Sequence, residues 1–333
     1  MNKRALRADI LLLLTAGIWG FGFVAQRTGM EHVGPFAFNG IRFILGSLSL
    51  LPLILIRQKT NGTRIASPKQ FCLFSLILGG CLFVAVILQQ IGIMFTTAGN
   101  AGFITGLYVV LTPIFGIFLG KKTGPATWAG SVFTLIGLYF LCAAGQLNSI
   151  NPGDLITVAS AVFWACHVLL VDRLVKNIDP IALSAGQFAV CGLLALAGAF
   201  LAEPFIGPLV ERINPALLDA GMFAWLPFPT LLAGVVSGAT TLPADALIPI
   251  LYGGFGSVGI AYTLQVVAQR DAPPAHATII LCFEGCFAAL GGALLLSETI
   301  GRWTLVGFIL MLAGMLVTQW EVVAKTRYGT TAY

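Results

Sequence analysis

Hydrophobic residues run through this chain in blocks of helix length, separated by short polar connections. A bilayer-spanning helix needs about 20 mostly apolar residues. Ten segments qualify, roughly 8–27, 35–56, 71–94, 98–119, 126–145, 153–174, 181–202, 245–268, 274–296 and 302–320. Connections such as Phe95 to Thr97 and Gly120 to Pro125 are so short that consecutive helices must be antiparallel neighbours. The pattern predicts an all-α polytopic membrane protein with ten transmembrane helices and no soluble domain. One connection is long. Within 203–244 lies an apolar piece, Ala224 to Val236, broken by Pro227 and Pro229 and too short for a normal span. It reads as an external insertion with an interfacial or re-entrant segment, in preference to an eleventh span.

The pattern also repeats. Asp9 and Trp19 recur as Asp154 and Trp164 at an offset of 145, and Thr127, Gly130 and Gly137 recur as Thr304, Gly307 and Gly314 at an offset of 177. This divides the chain into two five-helix repeats, 1–147 and 148–322, the second carrying the insertion at about 203–244, with a tail at 323–333. Five is odd, so the second copy must cross the membrane in the opposite sense. Inverted repeats are a recurrent plan of secondary transporters, which hold substrate near the midplane where the halves meet. Residues 1–24, with Lys3, Arg4 and Arg7 ahead of an apolar core, have the outline of a secretory signal. The recurrence of Asp9 and Trp19 in mid-chain reads them instead as a retained first helix.

Composition agrees with the pattern. Hydrophobic residues make up 58% and charged residues 9%, with a mean hydropathy of +0.94; soluble domains average about 45–50% apolar and about 25% charged. Charge placement sets the topology. A cytoplasmic amino terminus puts 14 of the 18 Lys and Arg residues on the cytoplasmic side: Lys3, Arg4, Arg7, Arg57, Lys59, Arg64, Lys69, Lys121, Lys122, Arg173, Lys176, Arg270, Lys325 and Arg327. Arg27, Arg212 and Arg302 fall outside, and Arg42 lies within a span. This is the positive-inside pattern, with both termini cytoplasmic. The net charge of +5 therefore reports topology and does not point to a nucleic-acid partner. The seven cysteines sit in apolar runs with no CxxC or Cys/His metal spacing, and read as small buried residues. No GxxxxGK[ST] occurs, so direct ATP coupling is not expected, and neither a cofactor nor a metal is predicted.

Few intramembrane residues can carry chemistry. Glu284 stands near the middle of the apolar run 273–299, and a charge at the bilayer centre costs about 2.5–3.5 kcal/mol on insertion scales, so such residues face a bundle interior or a wet cavity. Its first-half equivalent at the 177 offset is Leu107, which leaves a single acid. Trp19 and Trp164 lie near mid-depth, where a flat ring could stack on substrate, whereas Trp128, Trp303 and Trp320 lie near helix ends and read as interfacial anchors. Gln89, Gln90 and Asn100 bracket the turn between the third and fourth helices, and Gln265 repeats the Leu-Gln pair of Leu88 and Gln89. Amides can bind a zwitterion or a heterocycle, or can join helices by hydrogen bonds worth about 0.6 kcal/mol. Tyr108, Gln187 and Tyr262 are similar candidates. Arg42, about 10 Å from the outer end of its helix, could snorkel, pair with a carboxylate or attract an anion; the ion pair is the favoured reading. His167 and His276 are the histidines in or near spans, and a proton relay between one of them and Glu284 stays open.

Trp19-Gly20 followed by Gly22, the second-helix segment GIRFILGSLSLLPL, and the closing motifs YTLQVVAQ, APPAHATIILCFE and LLLSET resemble the ten-helix EamA-like branch of the drug/metabolite transporter superfamily. The resemblance covers nearly the whole chain. It implies a bundle in a bacterial inner membrane that moves small metabolites, often outward, and it makes Glu284 and Glu298 family-matching positions. Two departures stand out: Gly285 follows Glu284 where the family often has Pro, and Lys121 replaces an acidic residue. Together the readings predict a secondary transporter, an exporter of amino acids, purines or amphipathic compounds, working by alternating access through a central cavity between the repeats. Its partners would be the lipid bilayer and a small-molecule substrate, as monomer or homodimer, with proton coupling open. A membrane-embedded enzyme would want clustered His, Asp or Cys at a membrane face, and none is visible. A passive facilitator would differ only in coupling.

Overall fold

The computed structural model describes residues 3–30, 33–61, 67–95, 104–140, 152–205, 228–237, 244–295 and 301–327, and every regular element among them is helical. In chain order these are α1 (Lys3–Gly29), α2 (Pro35–Asn61), α3 (Pro68–Phe95), α4 (Tyr108–Phe118), α5 (Pro125–Leu138), α6 (Pro152–Leu174), α7 (Pro180–Leu201), α8 (Phe228–Ser237), α9 (Ala244–Leu251), α10 (Thr263–Gln269), α11 (Pro274–Leu281), α12 (Glu284–Leu295) and α13 (Arg302–Arg327). A wide-turned π-helical stretch, Tyr252–Tyr262, joins α9 to α10. Six helices begin on proline, at Pro35, Pro68, Pro125, Pro152, Pro180 and Pro274. At that position the missing N–H would have had no intrahelical acceptor, and the fixed φ suits the helix. Asp179 adds a cap, its Oδ1 accepting from the N–H groups of Ile181 and Ala182, both at 3.0 Å.

Among the described residues, seven helical stretches are long and apolar enough to cross a membrane: Lys3–Gly29, Pro35–Gln58, Pro68–Phe95, Pro152–Leu174, Pro180–Leu201, Asp245–Gln269 and Pro274–Leu295. Shorter apolar helices, Ile104–Phe118, Pro125–Leu138 and Arg302–Thr318, stand within the other three predicted segments. The surface is inverted relative to a soluble protein. Leu55, Leu76, Phe118, Leu193, Ile248, Leu294 and Ile309 point outward, while Thr15, Gln89, Gln90, Gln187, Gln265 and Gln269 are buried. Lipid tails solvate the first set, while the second needs partners inside the bundle. The cysteine expectation is corrected by the same logic: Cys191 and Cys282 are buried, but Cys72 is exposed, because a lipid-facing position suits a small apolar side chain equally well. Cys142 lies outside the described residues.

Helices pack most extensively in the pairs α2 with α7, α3 with α6, and α5 with α13. The last pair shows why glycine is needed there. A Cβ on Gly130 would lie 2.7 Å from the Gly314 carbonyl oxygen, one on Gly314 would lie 2.7 Å from that of Gly130, and one on Gly137 would lie 2.9 Å from that of Gly307. The backbones approach closely enough that any side chain would separate them.

Two helices expected to be continuous are interrupted. Cys282 and Phe283 form a tight turn between α11 and α12, with Phe283 N bonding to Ile280 O at 3.1 Å and Gly285 N to Cys282 O at 3.1 Å. Glu284 thus opens a half-helix. A comparable turn at Leu107 precedes α4, with Leu107 N on Ile104 O at 3.1 Å.

The apolar piece of the long connection forms α8, ten residues long. At 1.5 Å per residue it reaches about 15 Å, half the hydrocarbon thickness. Phe228 packs edge-on against Phe200 with centroids 5.1 Å apart. Beside it, Glu203 is buried and its Oε1 accepts from Phe36 N at 3.0 Å and Ala37 N at 3.2 Å, capping α2 from a distance. Gly34 permits that approach, since a Cβ there would lie 2.1 Å from the same oxygen. Burial pushes the Glu203 carboxyl up to about 7, against the pull of the Phe36, Ala37 and Phe228 N–H groups.

Candidate functional site: a central polar cavity

Helical spacing explains how one chain lines one cavity from many helices. On α1, Trp19, Phe23 and Gln26 fall at i, i+4 and i+7, a single stripe, and all three face the cavity. Trp164 and Val168 on α6 repeat the i, i+4 step, and Leu281 and Glu284 lie across the α11–α12 turn. Ser257 and Tyr262 are five residues apart, a spacing the wide π turn brings round to one side. Arg42, Gln89, Thr105, Tyr108 and Gln265 complete the wall. The cavity volume is about 30 Å³, room for about one or two waters.

One wall is aromatic. The Tyr262 ring lies 4.5 Å from Trp19 and 6.0 Å from Trp164, centroid to centroid, and nearly parallel to the latter at 17°. Phe43 and Phe188 back it at 5.7 and 5.9 Å. Trp19 and Trp164, the equivalent residues of the sequence repeat, stand 6.4 Å apart. Trp19 donates its indole N–H to Ser257 O at 3.3 Å. Among the described residues, the buried Trp164 Nε1 meets no acceptor, and the buried Gln26 Oε1 and Gln265 Oε1 meet no donor.

The polar wall is partly wired. Tyr108 donates its hydroxyl to Glu284 Oε1 at 3.2 Å, linking the two interrupted helices across the cavity. Gln89 Nε2 donates to Thr105 Oγ1 at 3.2 Å. Arg42, 2% exposed, donates from Nε to Asn39 Oδ1 at 3.0 Å, and its guanidinium lies 5.4 and 5.2 Å from the ring centroids of Phe38 and Phe43. The favoured ion-pair reading of Arg42 is corrected here. Among the described residues no carboxylate lies within ion-pair distance of it, because its helix turns the side chain into the cavity instead of toward an acidic neighbour.

Eight expected residues therefore converge: Trp19, Arg42, Gln89, Tyr108, Trp164, Tyr262, Gln265 and Glu284. Two do not. His167 Nε2 and Gln187 Oε1 form a buried hydrogen bond of 2.9 Å behind Trp164, outside the lining. His276 is also elsewhere, 2.7 Å from Asp9, at the first turn of α11 and the second turn of α1. Among the described residues, Glu284 takes a hydrogen bond from Tyr108, while His167 pairs with Gln187 and His276 with Asp9. Asn100 lies outside the described residues. Phe23, Gln26, Thr105, Val168, Ser257 and Leu281 were not anticipated. Helical steps from Trp19 and Trp164 lead to the first two and to Val168; nothing local singles out Ser257, whose position depends on the π turn.

A multi-pass helical bundle enclosing an aromatic and polar cavity has the form of a membrane transporter. Residues 6–143 and 209–320 match the EamA-like transporter family. The chain belongs to that family and is a multi-pass membrane transporter. An uncharacterized transporter of Archaeoglobus fulgidus is 27% identical over 96% of this chain and 88% of its own length. The uncharacterized inner membrane transporter YedA of Escherichia coli K12 is 25% identical over 68% and 81%. A probable amino-acid metabolite efflux pump of Salmonella typhimurium is 23% identical over 92% and 93%. A solved crystal structure shares the fold with a TM-score of 0.71 at 17% identity, over 93% of this chain and 95% of that one.

Proposed function

We propose that the protein is a secondary transporter that exports small, partly polar metabolites of amino-acid size across a bacterial inner membrane. It works by alternating access between two inverted five-helix repeats, 1–147 and 148–322. The observation that carries this reading is the convergence of both halves on one cavity, with the equivalent Trp19 and Trp164 facing each other 6.4 Å apart. The repeat is further supported by reciprocity. Gly130 and Gly137 are equivalent to Gly307 and Gly314, and the close contacts run crosswise, Gly130 with Gly314 and Gly137 with Gly307, as an approximate two-fold axis requires. The turns at Leu107 and at Cys282–Phe283 interrupt equivalent helices, and interrupted helices at a repeat interface are a common transporter device. The name of the Salmonella typhimurium relative supports amino-acid metabolites as cargo.

Glu284 is the working acid of the site. Glu284→Gln keeps the hydrogen bond from Tyr108 but removes the charge. In proteoliposomes it is expected to fold normally and lose at least ~10-fold of flux, the scale of about 1.4 kcal/mol of lost transition-state binding. Unchanged flux would return Glu284 to a packing role. Running the same vesicles with and without a pH gradient tests proton coupling, which equal rates would exclude.

A further inference from the structure

Among the described residues Arg42 is the one cation lining the cavity, 2% exposed, and no carboxylate among them neutralises it. An uncompensated buried charge is costly, yet this one is held in place with care. Asn39, itself buried, accepts from Nε at 3.0 Å and donates its amide to Pro35 O at 2.8 Å, while the rings of Phe38 and Phe43 flank the guanidinium. That arrangement occupies Nε and leaves the terminal nitrogens, the fork suited to a carboxylate. The buried Trp164 indole N–H, also without an acceptor, lines the same cavity. Acceptors on the lining without donors among the described residues are Gln26 Oε1 and Gln265 Oε1, and Glu284 adds a carboxylate.

We propose that Arg42 is the anchor for an anionic group, a carboxylate, on the transported molecule, and so sets the specificity of the cavity. The aromatic wall of Trp19, Trp164 and Tyr262 receives a flat or apolar body. The acceptors Gln26, Gln265 and Glu284 take an N–H-bearing or ammonium group, which also offsets the Glu284 carboxylate facing the same space. The cargo is thus a compact zwitterion held at its anionic end by Arg42. This rests on the transporter reading for the act of transport, but the anchoring itself is a binding property.

Three probes with one ring separate the ends: phenylalanine, phenylalaninamide, which lacks the carboxylate, and 3-phenylpropionate, which lacks the ammonium. Binding to purified protein is followed by quenching of tryptophan fluorescence, and movement by counterflow in proteoliposomes. Phenylalanine is expected to bind at least ~10-fold more tightly than phenylalaninamide. Arg42→Gln should abolish that difference by weakening phenylalanine alone, and Arg42→Lys should restore part of it. Equal binding of acid and amide by the wild type, no binding of any probe, or equal weakening of both by Arg42→Gln would overturn the anchor. If phenylalanine binds in an Arg42-dependent way but does not cross, the transport reading fails and the anchor stands. If it crosses without regard to Arg42, the anchor alone fails.

Discussion

Arg42 and Asp172 are both buried charges, 2% and 4% exposed, and the fold treats them in opposite ways. Asp172, near the end of α6, receives Lys121 on one carboxylate oxygen and Lys176 at 3.5 Å on the other. Lys121 follows α4 and Lys176 follows α6, so the cluster ties the end of α4 to the end of α6. Arg42 lines the cavity with an amide and two rings for company and no carboxylate within ion-pair distance among the described residues. The difference separates a charge committed to structure, neutralised by its own chain, from one left for something that comes and goes. Glu203 is an intermediate case, an acid whose Oε1 is held by backbone N–H groups of another helix, with no cation beside it among the described residues.

The comparison can be broken in three places. The largest effect is expected at Glu203. Its folded carboxyl is raised from 4.5 to about 7, so the folded state binds the proton more tightly than the unfolded state. Its stabilisation is full below pH 4.5 and is lost as pH rises through about 7. The slope is about 1.4 kcal/mol per pH unit between those values, close to 3 kcal/mol in all. Thermal unfolding in detergent should therefore show a decline from pH 5 to pH 8 that Glu203→Gln flattens; an unaltered slope in the variant would assign the decline to other groups.

Asp172→Ala comes next. It strands two lysines, but these are 33% and 57% exposed and stay partly hydrated, so the loss is expected near 2 kcal/mol and not the roughly 3–5 kcal/mol of a fully buried pair. A melting temperature unchanged from wild type would show the cluster to be decorative. Arg42→Met should have the smallest effect on stability. The apolar stem is kept, and relief from burying an unpaired charge offsets the lost bond to Asn39, worth about 1 kcal/mol. A change below about 1 kcal/mol in either direction, beside a clear loss for Asp172→Ala, would sharpen the contrast. A loss for Arg42→Met as large as that of Asp172→Ala would erase it.

Much of the site was legible because membrane burial makes polar residues rare and therefore informative. Trp19, Trp164 and Glu284 stood out against their apolar surroundings, and each lines the cavity. His167 and Gln187 were candidates too, and they hydrogen-bond each other instead. A polar residue in a span announces only that it needs a partner, and whether that partner is protein or cargo depends on which way its helix is rotated. The break before Glu284 was not legible, since PPAHATIILCFEGCFAALGG reads as one uninterrupted apolar helix. Backbone hydrogen bonds to Ile280 and Cys282 create the turn, and they depend on local geometry that hydropathy does not record.

The sequence by itself determined the membrane class and the all-helical character, because lipid admits only apolar helices of sufficient length and proline marks where several of them start. It also carried the matched pairs Trp19 with Trp164 and Gly130 with Gly307. Only the tertiary structure decided that the tryptophans meet, that the glycines cross as Gly130 with Gly314, and that Arg42 has no carboxylate neighbour among the described residues. Those outcomes depend on helix rotation and contacts far apart in the chain, such as Trp19 beside Ser257, which no periodicity along one helix can specify.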